Sequence, residues 1–126
     1  MQSESGAGVR NSALIREKIT FQAYISGTEI NYQNCYFIPA ESKVHIEILL
    51  QNGVNSISDG GFICSADKKY MPSNTRDLMM IYRKKDESCH PGYCYASHDT
   101  TRPYLWLRHI LDDNITDAII IGEYTL

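Results

Sequence analysis

The chain lacks the features that mark membrane and nucleic-acid-binding proteins. Its longest apolar runs, such as 118–121, are far too short to span a bilayer as a helix. Its 12 Lys and Arg are outnumbered by 15 Asp and Glu, which gives a net charge of −3. The basic residues form no cluster that could follow a phosphate backbone. We therefore predict neither a membrane nor a nucleic-acid partner.

Sequence motifs of known catalytic mechanisms are also absent. The chain has no Gly-x-Ser-x-Gly, no His-Glu-x-x-His, no phosphate-binding glycine loop and no dinucleotide fingerprint. Its histidines, serines and acidic residues could be combined into a triad, but such common residues allow this in most chains of this size. We predict a protein that is not an enzyme, with no catalytic residues and no cofactor. The alternative is a small secreted hydrolase or zinc protein centred on His90 and His98.

The four cysteines are an even number, which is typical of a disulfide framework. Cys89 and Cys94 flank Pro91-Gly92, a β-turn dipeptide that would fold the segment back and bring the two sulfurs together. The predicted disulfides are Cys89–Cys94 and Cys35–Cys64. Because disulfides form in oxidising compartments, we predict a periplasmic or secreted protein whose signal peptide has been removed. The alternative is a cytosolic protein with four free thiols.

Zinc binding is a second use of the same region. Cys89, His90, Cys94 and His98 provide soft ligands within ten residues. Their spacing does not match the paired Cys-x2-Cys patterns of zinc sites, and neighbouring side chains point apart in an extended chain. We therefore predict no metal site.

Alternating apolar and polar residues predict a mainly β protein. The predicted strand segments are 19–25, 30–37, 44–51, 62–66, 78–83 and 118–126. The segments 78–83 and 118–126 are interpreted as buried strands. We predict an antiparallel sheet or a β-sandwich in a single domain at 17–126, preceded by a flexible arm at 1–16.

One minor helix is predicted in the last third of the chain. Tyr104, Leu107 and Leu111 fall at helical spacing, which favours one short helix near 102–112. The leucines and aromatic residues of this segment also alternate, so a strand is the alternative. The edge Lys43–Gln51, which contains the predicted strand 44–51, is interpreted as exposed, so that a second copy could pair along it to form a homodimer.

Tyrosine is in surplus, with nine Tyr against three Phe and one Trp. Tyr combines a large contact area with a polar tip, which suits surfaces that bind other proteins. The predicted binding element is the loop around the Cys89–Cys94 bridge, which would hold the loop rigid. Its candidate partner-binding residues are Arg83, Glu87, His90, Tyr93 and Tyr95.

The segment Ser26-Gly27-Thr28-Glu29-Ile30-Asn31-Tyr32 resembles the Ser-Gly…Tyr loop of bacterial periplasmic inhibitors of lysozyme, over seven residues. The chain is also similar in type to periplasmic inhibitors and immunity proteins, which are small, disulfide-bonded and rich in β-structure. This resemblance of type implies a protein partner, such as a cell-wall-degrading effector or hydrolase. A carbohydrate-binding accessory domain that uses Tyr side chains and Trp106 is a further hypothesis.

Overall fold

A computed structural model describes residues 15–23, 29–51, 62–65, 68–97, 104–108 and 115–126. These residues form β-strands and two short 3-10 helices, Pro39–Glu41 and Lys68–Tyr70, and no helix in this part of the chain could span a membrane. The strands are β1 (Glu17–Ile19), β2 (Phe21–Ala23), β3 (Glu29–Gln33), β4 (Cys35–Ile38), β5 (Lys43–Gln51), β6 (Phe62–Ser65), β7 (Arg76–Lys84), β8 (Cys89–Ala96), β9 (Tyr104–Arg108) and β10 (Ile115–Thr125). The mainly β prediction is confirmed. Most of the predicted flexible arm lies outside the described residues.

All the described strands belong to one antiparallel sheet. Its order is β1-β4-β5-β10-β7-β8-β9-β6-β2, with β3 pairing β5 beside β4. β1 and β2 stand at opposite ends of this order, yet only Thr20 separates them in the chain. The sheet therefore closes on itself, and the described strands form one curled layer instead of the two stacked sheets of a sandwich.

The closure between β2 and β3 uses a side chain instead of a strand ladder. Gln33 Oε1 accepts a hydrogen bond from the Phe21 N–H at 2.8 Å, and Gln33 Nε2 donates to the Phe21 carbonyl at 3.1 Å. Phe21 is only 2% exposed. One amide thus satisfies both backbone groups of a buried residue, as a neighbouring strand would.

The core fills the interior of the closed sheet. On β5 the inward residues, all fully buried, are Val44, Ile46, Ile48 and Leu50. This is the alternation predicted for that strand. Tyr70, from the second 3-10 helix, is buried beside Phe37, with 5.5 Å between the ring centroids. The buried Tyr124 hydroxyl donates to the Tyr70 carbonyl at 2.7 Å and so ties this helix to β10.

The hairpin of β7 and β8 differs from its prediction. β8 runs without interruption from Cys89 to Ala96 and pairs with β7 in continuous register. The turn lies earlier, at 85–88, where the Lys84 N–H donates to the Ser88 carbonyl at 2.9 Å and Glu87 has a φ of 71°. The turn predicted at Pro91-Gly92 is therefore wrong.

Pro91 and Gly92 have other roles in the strand. In an antiparallel ladder, hydrogen-bonded pairs alternate with pairs that share no hydrogen bond. Counted from the hydrogen-bonded pair Lys84–Ser88, the pair Ile81–Pro91 is of the second kind, so the Pro91 nitrogen points away from β7. The described β8–β9 pairs begin at Tyr93, so the N–H that Pro91 lacks interrupts none of them. Gly92 faces inward, and a Cβ there would collide with the Met80 methyl. Packing, not turn geometry, explains this glycine.

No disulfide is found among the described residues, and the strand geometry is against the predicted Cys89–Cys94 bridge. Cys94 is five positions after Cys89 in one extended strand, a distance of about 17 Å at the rise of a β-strand. Cys89 is exposed and Cys94 is buried, so they point to opposite faces. Cys35 is also a free, buried thiol, with its Sγ 3.7 Å from the Glu47 carbonyl oxygen, so its predicted bridge to Cys64 is not found. The prediction of export thereby loses the observation on which it rested.

Thiol labelling checks this arrangement. In the native protein at pH 8, iodoacetamide should modify Cys89 at least about ten times faster than Cys35 or Cys94, because both buried thiols are shielded and protonated. Burial raises the pKa of the Cys35 thiol to about 11 and also raises the pKa of Cys94. Peptide mass spectrometry measures the labelling, and in urea the three should react alike. A crosslinked Cys89–Cys94 peptide would contradict the continuous strand.

The helix predicted near 102–112 is wrong at Tyr104–Arg108, which form β9. Leu105 and Leu107 are fully buried, whereas Trp106 between them is only half-buried. The segment thus follows the period of two of a strand, and ladders to β6 and β8 satisfy its backbone on both sides. Residues 109–112 lie outside the described part of the chain.

β5 is not the exposed edge that was predicted. It pairs with β10 along one side, over Lys43–Gln51, and with β3 and β4 along the other. The backbone groups that a second copy would need are thus already used by the chain itself. Homodimer formation by strand pairing along Lys43–Gln51 is excluded by this register.

Candidate functional site

The candidate site is the outer surface of β8 and β9. Its residues alternate along the two strands with fully buried ones, so their side chains point outward, and each is half-buried. They are Tyr93, Tyr95, Trp106 and Arg108. The register sets Tyr93 beside Arg108 and Tyr95 beside Trp106. Three aromatic rings and one guanidinium therefore share one surface of two paired strands.

A hydrogen bond orients the first of these rings. The Tyr93 hydroxyl donates to the Asp77 carboxylate on β7. This hydrogen bond raises the pKa of Tyr93, so the phenol stays protonated and remains a donor at neutral pH. The Tyr93 and Tyr95 ring centroids are 5.6 Å apart, with the rings tilted by 43°. The aromatic surface is thus held by the sheet instead of by a loop.

The structure brings together only part of the predicted binding set. Tyr93 and Tyr95 are neighbours on the outer surface. Arg83 also points outward, but it lies opposite Cys89. Cys89 is four positions before Tyr93 on β8, which is about 13 Å along the strand. The Arg83 Nε is 3.6 Å from Asp117 Oδ1 on β10. Arg83 therefore belongs to the surface of β7 and β10.

Glu87 and His90 lie apart from this surface. Glu87 is exposed at the tip of the β7–β8 hairpin. His90 alternates with the outward residues, and its ring stacks on buried Tyr82 with 5.6 Å between centroids. Its Nε2 is 2.8 Å from Ser88 Oγ. His90 thus stabilises the end of the hairpin.

The contacts of His90 do not form a hydrolase site. Ser88 Oγ donates to Asp86 Oδ1 at 2.5 Å, so its one proton is directed to the carboxylate, and His90 Nε2 is left to donate to the hydroxyl. In a serine hydrolase the histidine lies between the serine and the carboxylate, whereas here the serine lies in the middle. The Ser88 hydrogen bonds also lower the pKa of Asp86, which makes it a weak base. His98, the other centre of this alternative, lies outside the described residues.

The same strand geometry removes the zinc alternative as it was framed. Cys89 and Cys94 point to opposite faces of β8, so they cannot ligate one ion. Within the described ranges no group of three or more His, Cys, Asp or Glu side chains is placed to hold a metal.

Sequence reasoning missed an apolar surface next to the aromatic one. Met79 is 61% exposed, Ile81 is 39% exposed, and Ile119 and Ile121 are each 38% exposed. The register sets Ile81 beside Ile119 and Met79 beside Ile121, across β7 and β10. Both strands contain unbroken apolar runs, which were interpreted as burial on both faces. In a single curled sheet one of those faces is the exterior. The unbroken apolar runs were therefore the sequence signal for an apolar outer surface.

The outer surface of β8 and β9 provides contact area without reactive groups. Tyr and Trp side chains have only two rotatable bonds and so lose little freedom when they are covered, which favours binding. No protein-family model, curated protein or solved structure matches this chain.

Proposed function

We propose that this protein binds another protein, without catalysis, through the outer surface of β8 and β9. The observation that carries the proposal is the grouping of Tyr93, Tyr95, Trp106 and Arg108 on two paired strands. Tyr, Trp and Arg are the residues that dominate binding energy at protein interfaces. The sheet holds them in place before binding, which is the role first assigned to a disulfide.

The partner that we propose is a cell-wall-degrading enzyme, so that the protein acts as an inhibitor or immunity protein. The resemblance of 26–32 to the loop of lysozyme inhibitors supports this class of partner. Such an enzyme acts in the periplasm or outside the cell, and that location is part of the proposal. Glu29–Tyr32 belong to β3, where Tyr32 is 49% exposed. Tyr32 is therefore an exposed tyrosine on a different strand from the β8–β9 surface.

Inhibition assays test this function. The protein is titrated against a panel of peptidoglycan hydrolases, beginning with lysozyme, and lysis of a cell-wall suspension is followed by turbidity. We expect inhibition of at least one hydrolase. Tyr95→Ala or Trp106→Ala should raise the inhibition constant about 30-fold, which corresponds to about 2 kcal/mol for a hot-spot aromatic residue.

Tyr32→Ala is the matched control, because it removes an exposed tyrosine from a different strand. It should leave the inhibition constant unchanged. If Tyr32→Ala abolishes inhibition and Tyr95→Ala does not, the binding surface lies on β3 and the β8–β9 assignment is wrong. If calorimetry detects binding to none of the hydrolases, the proposed class of partner is wrong.

The same aromatic surface favours one other ligand. Aromatic rings on a rigid sheet can pack against the C–H faces of sugar rings, so a carbohydrate is the second candidate. Sedimentation with insoluble peptidoglycan, chitin and cellulose separates the two. Retention on one polysaccharide that is lost in Trp106→Ala, with no effect on any hydrolase, would favour the carbohydrate.

A further inference from the structure

The outer surface of β7 and β10 carries an apolar block that the proposed function does not use. Ile81 and Ile119 form one register pair and Met79 and Ile121 form the next. All four are among the most exposed large apolar side chains that the structure describes. A contiguous apolar patch on a folded domain marks a surface that another molecule covers.

The residue pattern of both strands points the same way. Met79-Met80-Ile81 and Ile119-Ile120-Ile121 are apolar without interruption, although only Met80 and Ile120 point into the core. Such runs are typical of strands with both faces covered. β5, the other neighbour of β10, places His45 and Glu47 on its outer face, with half-buried Leu49 opposite Ile119. The exposed apolar residues are therefore concentrated on β7 and β10, and the apolar surface reaches β5 only at Leu49.

One charged pair beside the block indicates what covers it. Arg83 on β7 and Asp117 on β10 occupy the register row next to Ile81 and Ile119. Arg83 Nε is 3.6 Å from Asp117 Oδ1, and the Arg83 side chain is 54% exposed. Opposite charges thus stand at equivalent positions on either side of the line between the two strands.

We propose that this surface is a homodimer interface, with a two-fold axis parallel to the strands and between β7 and β10. This axis sets β10 of one copy on β7 of the other. Arg83 of each copy then faces Asp117 of the other copy, so this contact occurs twice in the dimer. The apolar rows face equivalent apolar rows, in the aligned packing that sheets prefer.

The acidic groups at the far end of the block are held away from this axis. Glu123 lies 3.2 Å from His45 and 3.6 Å from Lys43, both on β5. Asp77 accepts the Tyr93 hydroxyl on the opposite side, towards β8. An axis perpendicular to the strands would instead set Asp117 against Glu123 and Arg83 against Asp77 of the second copy. Because Glu123 and Asp77 already have partners on β5 and β8, the parallel axis, which sets Arg83 and Asp117 against each other, is favoured. The interface goes beyond the proposed function, and Met79 at its edge lies beside Tyr93 of the β8–β9 surface.

Charge reversal tests the interface. We expect sedimentation equilibrium, between about 10 µM and 1 mM for a small interface, to show a species of twice the 14.4 kDa chain mass. Arg83→Asp and Asp117→Arg should each raise the dimer dissociation constant at least about ten-fold, because like charges then face each other twice. An equimolar mixture of the two variants should dimerise like the wild type, since both contacts become attractive.

The mixture keeps the test valid if one variant is less stable, and circular dichroism confirms that each variant is folded. Lys18→Asp, an equal charge reversal at an exposed position on β1, should leave the association unchanged. A wild-type monomer at 1 mM would overturn the proposal. Tighter association of Asp117→Arg alone would also overturn it, because only the perpendicular axis sets residue 117 against Glu123. Failure of the mixture to dimerise would overturn it as well, and none of these outcomes bears on the hydrolase assays.

Discussion

Ile120→Ala should lower the free energy of unfolding by about 2–5 kcal/mol, the range for truncating a large buried aliphatic side chain. Ile120 is fully buried. It lies in register between Ile48 on β5 and Met80 on β7, which are also buried. Because those neighbours belong to paired strands on both sides, they cannot move in to fill the cavity. Urea unfolding at about 1 µM protein, followed by circular dichroism, measures the change.

The two flanking isoleucines are matched controls in the same strand. Ile119→Ala and Ile121→Ala remove the same atoms from side chains that are each 38% exposed. Each should lower the stability of the monomer by less than about 1 kcal/mol, as exposed substitutions do. Equal losses at all three positions would show that the outer face is covered within the monomer. The assignment of inner and outer faces on β10 would then be wrong.

Gln33→Ala should be the most damaging substitution of a polar side chain, with an expected loss of about 2–4 kcal/mol. It removes the partners of the Phe21 N–H and carbonyl, and each buried backbone group left without a partner costs about 1–3 kcal/mol. Gln33→Glu keeps an acceptor for the N–H but loses the donor to the carbonyl. We expect the free energy of unfolding of Gln33→Glu to lie between that of the wild type and that of Gln33→Ala. The measurement is the midpoint and slope of urea unfolding.

Asn31→Ala controls for the loss of a polar side chain from the same strand. Asn31 is exposed, so its truncation should change the stability by less than about 0.5 kcal/mol. If Gln33→Ala is equally mild, water replaces the amide and the closure does not depend on this side chain. Hydrogen exchange of the Phe21 amide provides an independent reading, because it should speed up in Gln33→Ala and stay slow in Asn31→Ala.

The regular strands could be predicted from the sequence, whereas the closure of the sheet could not. The period of two on β5 matches its burial residue by residue. Pro91-Gly92 misled the prediction because the same dipeptide fits both a turn and a strand in which proline needs no donor and glycine makes room for Met80. Local sequence cannot separate these uses, since the difference lies in which residues face them across the sheet.

The candidate site was partly predictable. Tyr93 and Tyr95 were identified because tyrosine is in surplus, and their alternation within β8 sets them on one surface. Trp106 and Arg108 could not be joined to them, because their segment was interpreted as a helix and only the β8–β9 register brings them alongside. Met79 and Ile121 were missed for a different reason. An apolar run does not show which of its two faces lies against the core.

The position of β10 has a consequence for how the chain is made. β10 follows every other described strand in the sequence, yet it lies between β5 and β7 and pairs with both. While a ribosome is still producing the earlier strands, β5 and β7 have no strand to join them. Until β10 has been made, β5 and β7 each have one edge without a partner strand, and such edges promote aggregation. Folding that depends on such distant contacts is slow, so this protein is expected to fold only after synthesis has passed β10.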